Sequence, residues 1–210
     1  MFNEIISRYP SLSSCSRDIQ LMFEALVSCF ENGGRLYVCG NGGSAADALH
    51  IVGELVKEFV LKRAVDTDFS VRLKELFPSE ADELLSGLQG ALPAFALVEN
   101  TALATAFAND ADAGFVFAQQ VYGYTRKGDA VLGVSTSGNS VNVVRALMAA
   151  KGRGAITLGL TGVGGGKMKS LCDVCICVPE TETYKIQEMH LPVYHALCLA
   201  LEKHFWGGGN

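Results

Sequence analysis

"VCGNGGSAADALHIVGEL", residues 38–55, is an apolar run, a turn with three glycines, and then a segment with apolar residues at helical spacing. With Arg35 to Gly40 ahead of it, it reads as a buried strand feeding a loop and a helix expected from Ser44 through Phe59. The same grammar returns in "VLGVSTSGNSVNVVRALMAAKGRG", residues 131–154, where strand, serine-rich loop and helix follow one another. Strand then helix is the unit of a parallel sheet covered on both faces, whose ligands bind beyond the carboxyl ends of the strands.

Further strand candidates are residues 94–100, 155–162 and 172–180, giving five in all. Helical spacing also marks residues 16–34, with Ser16 as a cap, and residues 101–109 and 114–129. The last element, residues 180–205, is a long helix in which Pro192 removes one backbone hydrogen bond and favours a kink. The expected fold class is therefore α/β, a three-layer sandwich around a five-stranded parallel sheet. The chain reads as one domain over residues 1–210, with an N-terminal helical segment at 1–34. Residues 61–92 are more polar and look like an insertion.

A net charge of −5 with scattered Lys and Arg argues against direct nucleic-acid binding. No apolar run is long enough to span a bilayer, and the N-terminus lacks the pattern of a signal peptide. Seven cysteines without a secretion signal read as reduced thiols in a cytoplasmic protein. Cys172 and Cys175 form a C-x-x-C, but no second pair exists and the surrounding residues alternate as a strand does.

The loop at 135–140 holds Ser135, Thr136, Ser137 and Ser140, more hydroxyls than capping one helix requires. At a helix start such a set suits a phosphate monoester. The 40–45 loop also fits G-x-G-x-x-A, but no strand ending in an acid follows about twenty residues later, so a nucleotide cofactor is not expected. His50 and Glu54 stand four apart on one helix face. Alone, that pair is as consistent with a surface contact as with chemistry. The last helix adds Gln187, Glu188, His190 and His195 within an apolar surface.

Residues 39–55, 131–154 and 185–195, taken together and in this order, resemble the sugar isomerase (SIS) domain proteins, and within them the phosphoheptose isomerases. The resemblance implies a SIS, flavodoxin-like fold in a homotetramer, the N-terminal helix packing on the oligomer core and the active sites forming between subunits. It implies that the serine loop holds the phosphate and that Asn41, Gly42 and Ser44 contact the substrate. It places the catalytic glutamate on Glu54 and the catalytic histidine on His195, with His50 and Gln187 as neighbours. Some members bind zinc through those four positions, a suitable ligand set. Asn100 stands where these isomerases commonly carry an aspartate that touches the sugar. The implied activity converts sedoheptulose 7-phosphate to glycero-manno-heptose 7-phosphate through an enediol. Related SIS proteins supply the alternatives: an adaptor for the bacterial replication initiator, a sugar-phosphate sensor, or an isomerase for another sugar phosphate.

Overall fold

The computed structural model describes residues 2–208. Strands β1 (Leu36–Gly40), β2 (Ala94–Ala96), β3 (Ala130–Val134), β4 (Ile156–Gly162) and β5 (Val174–Val178) form one parallel sheet in the order β2-β1-β3-β4-β5. The expected five-stranded α/β sandwich is observed. Only three residues of the 94–100 run pair with β1, because β2 is an edge strand and the chain leaves it for a helix at Asn100.

Side chains alternate across the sheet with period two. Leu36 and Val38 of β1, Leu132 and Val134 of β3, Leu158 and Leu160 of β4, and Ile176 and Val178 of β5 enter one core. Tyr37, Cys39 and Val131 enter the other. The first face is covered by α2 (Ser16–Glu31), α3 (Gly43–Val56) and α10 (Thr183–Trp206), which bury Ile19 and Met22, Ile51 and Leu55, and Val193 and Leu197 there. The second is covered by α7 (Val116–Tyr124) and α8 (Val141–Gly152) through Phe117, Val121, Val143 and Leu147. A Cβ at Gly133 would stand 2.7 Å from Val143 Cγ1, so this glycine is what lets α8 lie close on β3.

Helix α1 (Asn3–Arg8) and a 3₁₀ turn at Pro10–Cys15 precede α2. That turn runs straight into α2, so Ser16 is its first helical residue and not its cap. Residues 61–92 carry α4 (Thr67–Leu76) and α5 (Ala81–Gly87), separated at Pro78. The Asp66 carboxylate accepts from Phe69 N at 2.7 Å and caps α4. Helices α6 (Thr101–Asp110) and α9 (Met168–Leu171) complete the connections. Helix α10 continues through Pro192, which is buried. All seven cysteines are free thiols, and among the described residues no helix is long and apolar enough to cross a membrane.

His190 of α10 is fully buried. Burial lowers its pKa to about 4, and the nearby Thr161 backbone opposes this only in part. The folded state therefore holds this imidazole neutral while the unfolded chain takes up a proton below its ordinary value of 6.5. Stability from this group is present above the unfolded value and is lost as pH falls toward the folded one. Urea unfolding should show it costing about 2 kcal/mol between about pH 7 and about pH 5. In His190→Leu that share of the pH dependence should vanish.

Candidate functional site

Pairing of Gly40 with Val134 sets the ends of β1 and β3 side by side, so the loops after them begin as neighbours. The order of the sheet reverses between these two strands, which is where α/β sheets of this topology bind ligands. Gly42 (φ +56°) and Gly43 turn the chain into α3, whose N-terminus has no side-chain cap. Helix α8 also starts uncapped: Ser140 at its N-cap makes no capping hydrogen bond and turns its hydroxyl to Ser135 Oγ at 2.9 Å. Some N–H groups at these helix starts are taken within the protein, Ser44 N by Asn41 O, Ala45 N by Gly42 O and Val143 N by Asn142 Oδ1, but two positive helix ends and the serine hydroxyls still face one edge, an arrangement suited to a phosphate.

The two loops are tied by a reciprocal amide pair. Asn41 Nδ2 donates to Asn142 Oδ1 and Asn142 Nδ2 to Asn41 Oδ1, each at 2.8 Å. A third loop braces the serine loop from behind. Met168 N donates to Gly138 O at 3.1 Å, Gly162 N to Thr136 O at 3.1 Å, and Lys167 N to Asn139 Oδ1 at 3.0 Å. Gly138 has φ +63°, and an added Cβ would strike the carbonyl of Gly165. Ser44 is buried beneath its loop, Ser137 is exposed, and Thr136 is half-buried. A Cβ at Gly43 would meet the Gln187 amide, which places Gln187 at this same end of α3.

The second cluster lies two turns along α3. His50 Nε2 is 3.2 Å from Glu54 Oε1 and 3.4 Å from His195 Nε2. The pair that could have been a surface contact therefore meets a third polar residue from α10. Glu54 is largely buried and also pairs with Lys57 Nζ at 3.1 Å through Oε2. Burial lowers the His195 pKa, and the neighbouring His50 lowers it further against the pull of Glu54. His195 consequently favours its neutral form, able to accept or donate a proton.

Tyr194 and Asp47 complete this cluster. The Tyr194 hydroxyl donates to Asp47 Oδ1 at 3.3 Å and lies 3.0 Å from His50 Nδ1. The Tyr194 hydroxyl thus links Asp47 to Nδ1 of the imidazole and orients the ring so that Nε2 faces Glu54 and His195. Burial raises the Asp47 pKa, and the Tyr194 bond and His50 act against it. The sequence signals for both residues were positional: Asp47 is one turn before His50, and Tyr194 precedes His195.

The expected site residues do not form one constellation within the chain. Asn41, Gly42, Ser44, Ser135, Thr136, Ser137, Ser140 and Gln187 gather at the start of α3, while His50, Glu54 and His195 gather near its end. Gln187 and His195 are eight residues apart on one helix, about 12 Å along its axis, and side chains of one helix lean the same way. One ion cannot take both from the same chain. Asn100 joins neither group: its Oδ1 caps α6 by accepting from Leu103 N at 3.0 Å, and it lines a separate cavity of about 440 Å³ with Tyr37 and Tyr124.

The SIS domain family model matches residues 3–92 and 86–162. A phosphoheptose isomerase of Rhodospirillum rubrum is 39% identical over 191 residues, covering 91% of this chain and 88% of that protein. One from Nitratiruptor is 41% identical over 187 residues, covering 88% of this chain and 86% of its own length. The structure of a phosphoheptose isomerase from Neisseria gonorrhoeae superposes with a TM-score of 0.75 at 32% identity, covering 96% of this chain and 95% of that one.

Gly138→Ala tests the brace. A side chain at that positive φ, pressed on Gly165, should destabilise the protein by about 1–3 kcal/mol. Inorganic phosphate should raise the melting temperature of the wild type and should raise that of the variant much less.

Proposed function

The chain belongs to the SIS domain family, among its phosphoheptose isomerases, and from that premise we propose that it interconverts sedoheptulose 7-phosphate and glycero-manno-heptose 7-phosphate, with Glu54 and His195 as the proton-transferring groups. The observation that carries this is the meeting of Glu54, His50 and His195 within 3.4 Å at a junction of α3 and α10. The relatives compared are isomerases, and an adaptor has no need for that cluster.

Isomerisation moves one proton between two carbons and one between two oxygens. Glu54 removes the proton from the carbon beside the carbonyl, giving a cis-enediol, and returns it to the neighbouring carbon. His195 exchanges protons with the two oxygens, and its preference for the neutral form lets it act in either direction. His50, held by Tyr194, presents Nε2 to both. The serine loop and the two helix N-termini hold the phosphate, fixing which carbon reaches the carboxylate.

The donor set fits a divalent ion. Ligands on a four-coordinate zinc at ~2.0–2.1 Å stand about 3.4 Å apart, close to the separations of His50 Nε2 from Glu54 Oε1 and from His195 Nε2. Among the described residues no three His, Cys, Asp or Glu side chains are placed to hold a metal ion by themselves. His50, Glu54 and His195 would hold it, with a Gln187 amide as the fourth ligand. Bound there, zinc would supply Lewis-acid polarisation of the substrate carbonyl.

The division of the site supports an oligomer, and we take it to be a tetramer. Glu54 is eleven residues beyond Gly43, about 16 Å along α3. A seven-carbon sugar anchored by its phosphate at the start of α3 is too short to present its carbonyl end to Glu54 of the same chain. A second copy whose Glu54 cluster faces this phosphate loop would complete the site, and would bring Gln187 to the other copy's histidines.

Glu54→Gln and His195→Asn should each lower turnover of sedoheptulose 7-phosphate about a hundredfold or more, as expected for loss of a general acid or base. Coupled detection of the aldose phosphate measures this. Wild-type turnover in both would remove their assigned roles, and absence of product from the wild type across a panel of ketose phosphates would remove the isomerase reading. Metal analysis of the same wild-type sample should find zinc, reduced in His50→Ala.

A further inference from the structure

Arg63 and Glu202 are the most deeply buried ion pair among the described residues, each side chain about 1% exposed. Arg63 Nε donates to Glu202 Oε1 at 2.7 Å. The other two guanidinium nitrogens donate to Leu55 O and Glu54 O, both at 2.8 Å. They occupy carbonyls of the last turn of α3, which otherwise lack intrahelical partners. Arg63 also lies 4.9 Å over the Trp206 ring.

Glu202 grips the chain just after α3. Its carboxylate accepts from Phe59 N at 2.8 Å, Val60 N at 2.9 Å and Leu61 N at 3.0 Å. Burial alone would raise this carboxyl, but those N–H groups and Arg63 together hold it below the usual range. Phe59, anchored in this way, sets its ring 5.5 Å from the His195 imidazole. His195 and Glu202 are seven residues apart, nearly two turns, and so share a face of α10.

The hydrogen bonds of the pair therefore end on the backbone of Glu54 and on the segment whose aromatic ring abuts His195. A buried ion pair is a poor device for stability alone, since apolar residues of similar volume often serve as well or better. We propose that Arg63 and Glu202 are positioning residues for the isomerisation, one clamping the helix end that carries Glu54 and the other holding Phe59 against His195. The proposal rests on the roles given above to Glu54 and His195. It adds that their mutual placement is set by a charge pair that touches no substrate.

Arg63→Lys and Glu202→Gln preserve size and lose the forked contacts. Assayed with sedoheptulose 7-phosphate at a temperature where circular dichroism shows them folded, each should lose about tenfold or more in kcat with KM within about twofold, because sub-ångström displacement of reacting groups is costly. Phe59→Leu keeps the backbone N–H that Glu202 needs and removes the ring. It should lower kcat several-fold with a near-normal melting temperature, and its His195 ring proton resonance should shift in the same direction as in Arg63→Lys. Lower melting temperatures with wild-type kcat in Arg63→Lys and Glu202→Gln would overturn the proposal. Should neither fold, Phe59→Leu decides, and an unchanged kcat there overturns it. Glu54→Gln is measured in parallel. If it is inactive while the pair variants keep full kcat, only the positioning idea fails; if it keeps full activity, the assigned roles fail.

Discussion

Parallel strands all end at the same edge of a sheet, and the site depends on that constraint. Because β1 and β3 are neighbours in register, Gly40 beside Val134, their loops start within reach of each other. The helices that follow diverge to opposite faces, so each brings an uncapped N-terminus to one point without competing for space. The Asn41–Asn142 amide pair then locks the two loops together. Ser140 could have spent its hydroxyl on capping α8, yet it joins Ser135 instead, while Val143 N in the first turn donates to Asn142 Oδ1.

Helix α3 supplies a second constraint, its length. A rise of about 1.5 Å per residue puts Glu54 about 16 Å beyond Gly43, farther than the proposed sugar phosphate spans. The same arithmetic on α10 separates Gln187 from His195. Both helices run the same way on one sheet face, so the two halves of the chemistry sit at opposite ends of a packed pair. The Arg63–Glu202 pair holds the far end of that pair in fixed register, and the glycine loops hold the near end.

Strand, loop and helix were legible in residues 38–55 and 131–154 because hydrophobic period and turn chemistry are local properties. The contact of His50 with Glu54 was legible because one helix turn separates them, and the meeting of His195 with them was legible only through the resemblance. Distance was not legible. Gln187 and His195 belong to one motif, and only the helix geometry shows that one chain cannot bring them to one ion. Tyr194 and Asp47 were missed because their partnership joins positions 147 apart in sequence. Arg63 and Glu202 were missed for the same reason, and because an Arg in a polar stretch reads as solvated until its burial is known. The shortness of β2 follows from its edge position, which local propensity does not encode.

The most direct test is subunit complementation. Glu54→Gln chains and chains carrying Ser137→Ala with Ser140→Ala are co-expressed under two tags, and the doubly tagged oligomer is isolated and assayed with sedoheptulose 7-phosphate. If each site joins the phosphate loop of one copy to the Glu54 cluster of another, some sites in the hybrid are intact and activity rises well above that of either parent oligomer. If one chain supplies the whole site, every site in the hybrid is defective, and activity no higher than the mean of the two parents would contradict the shared site.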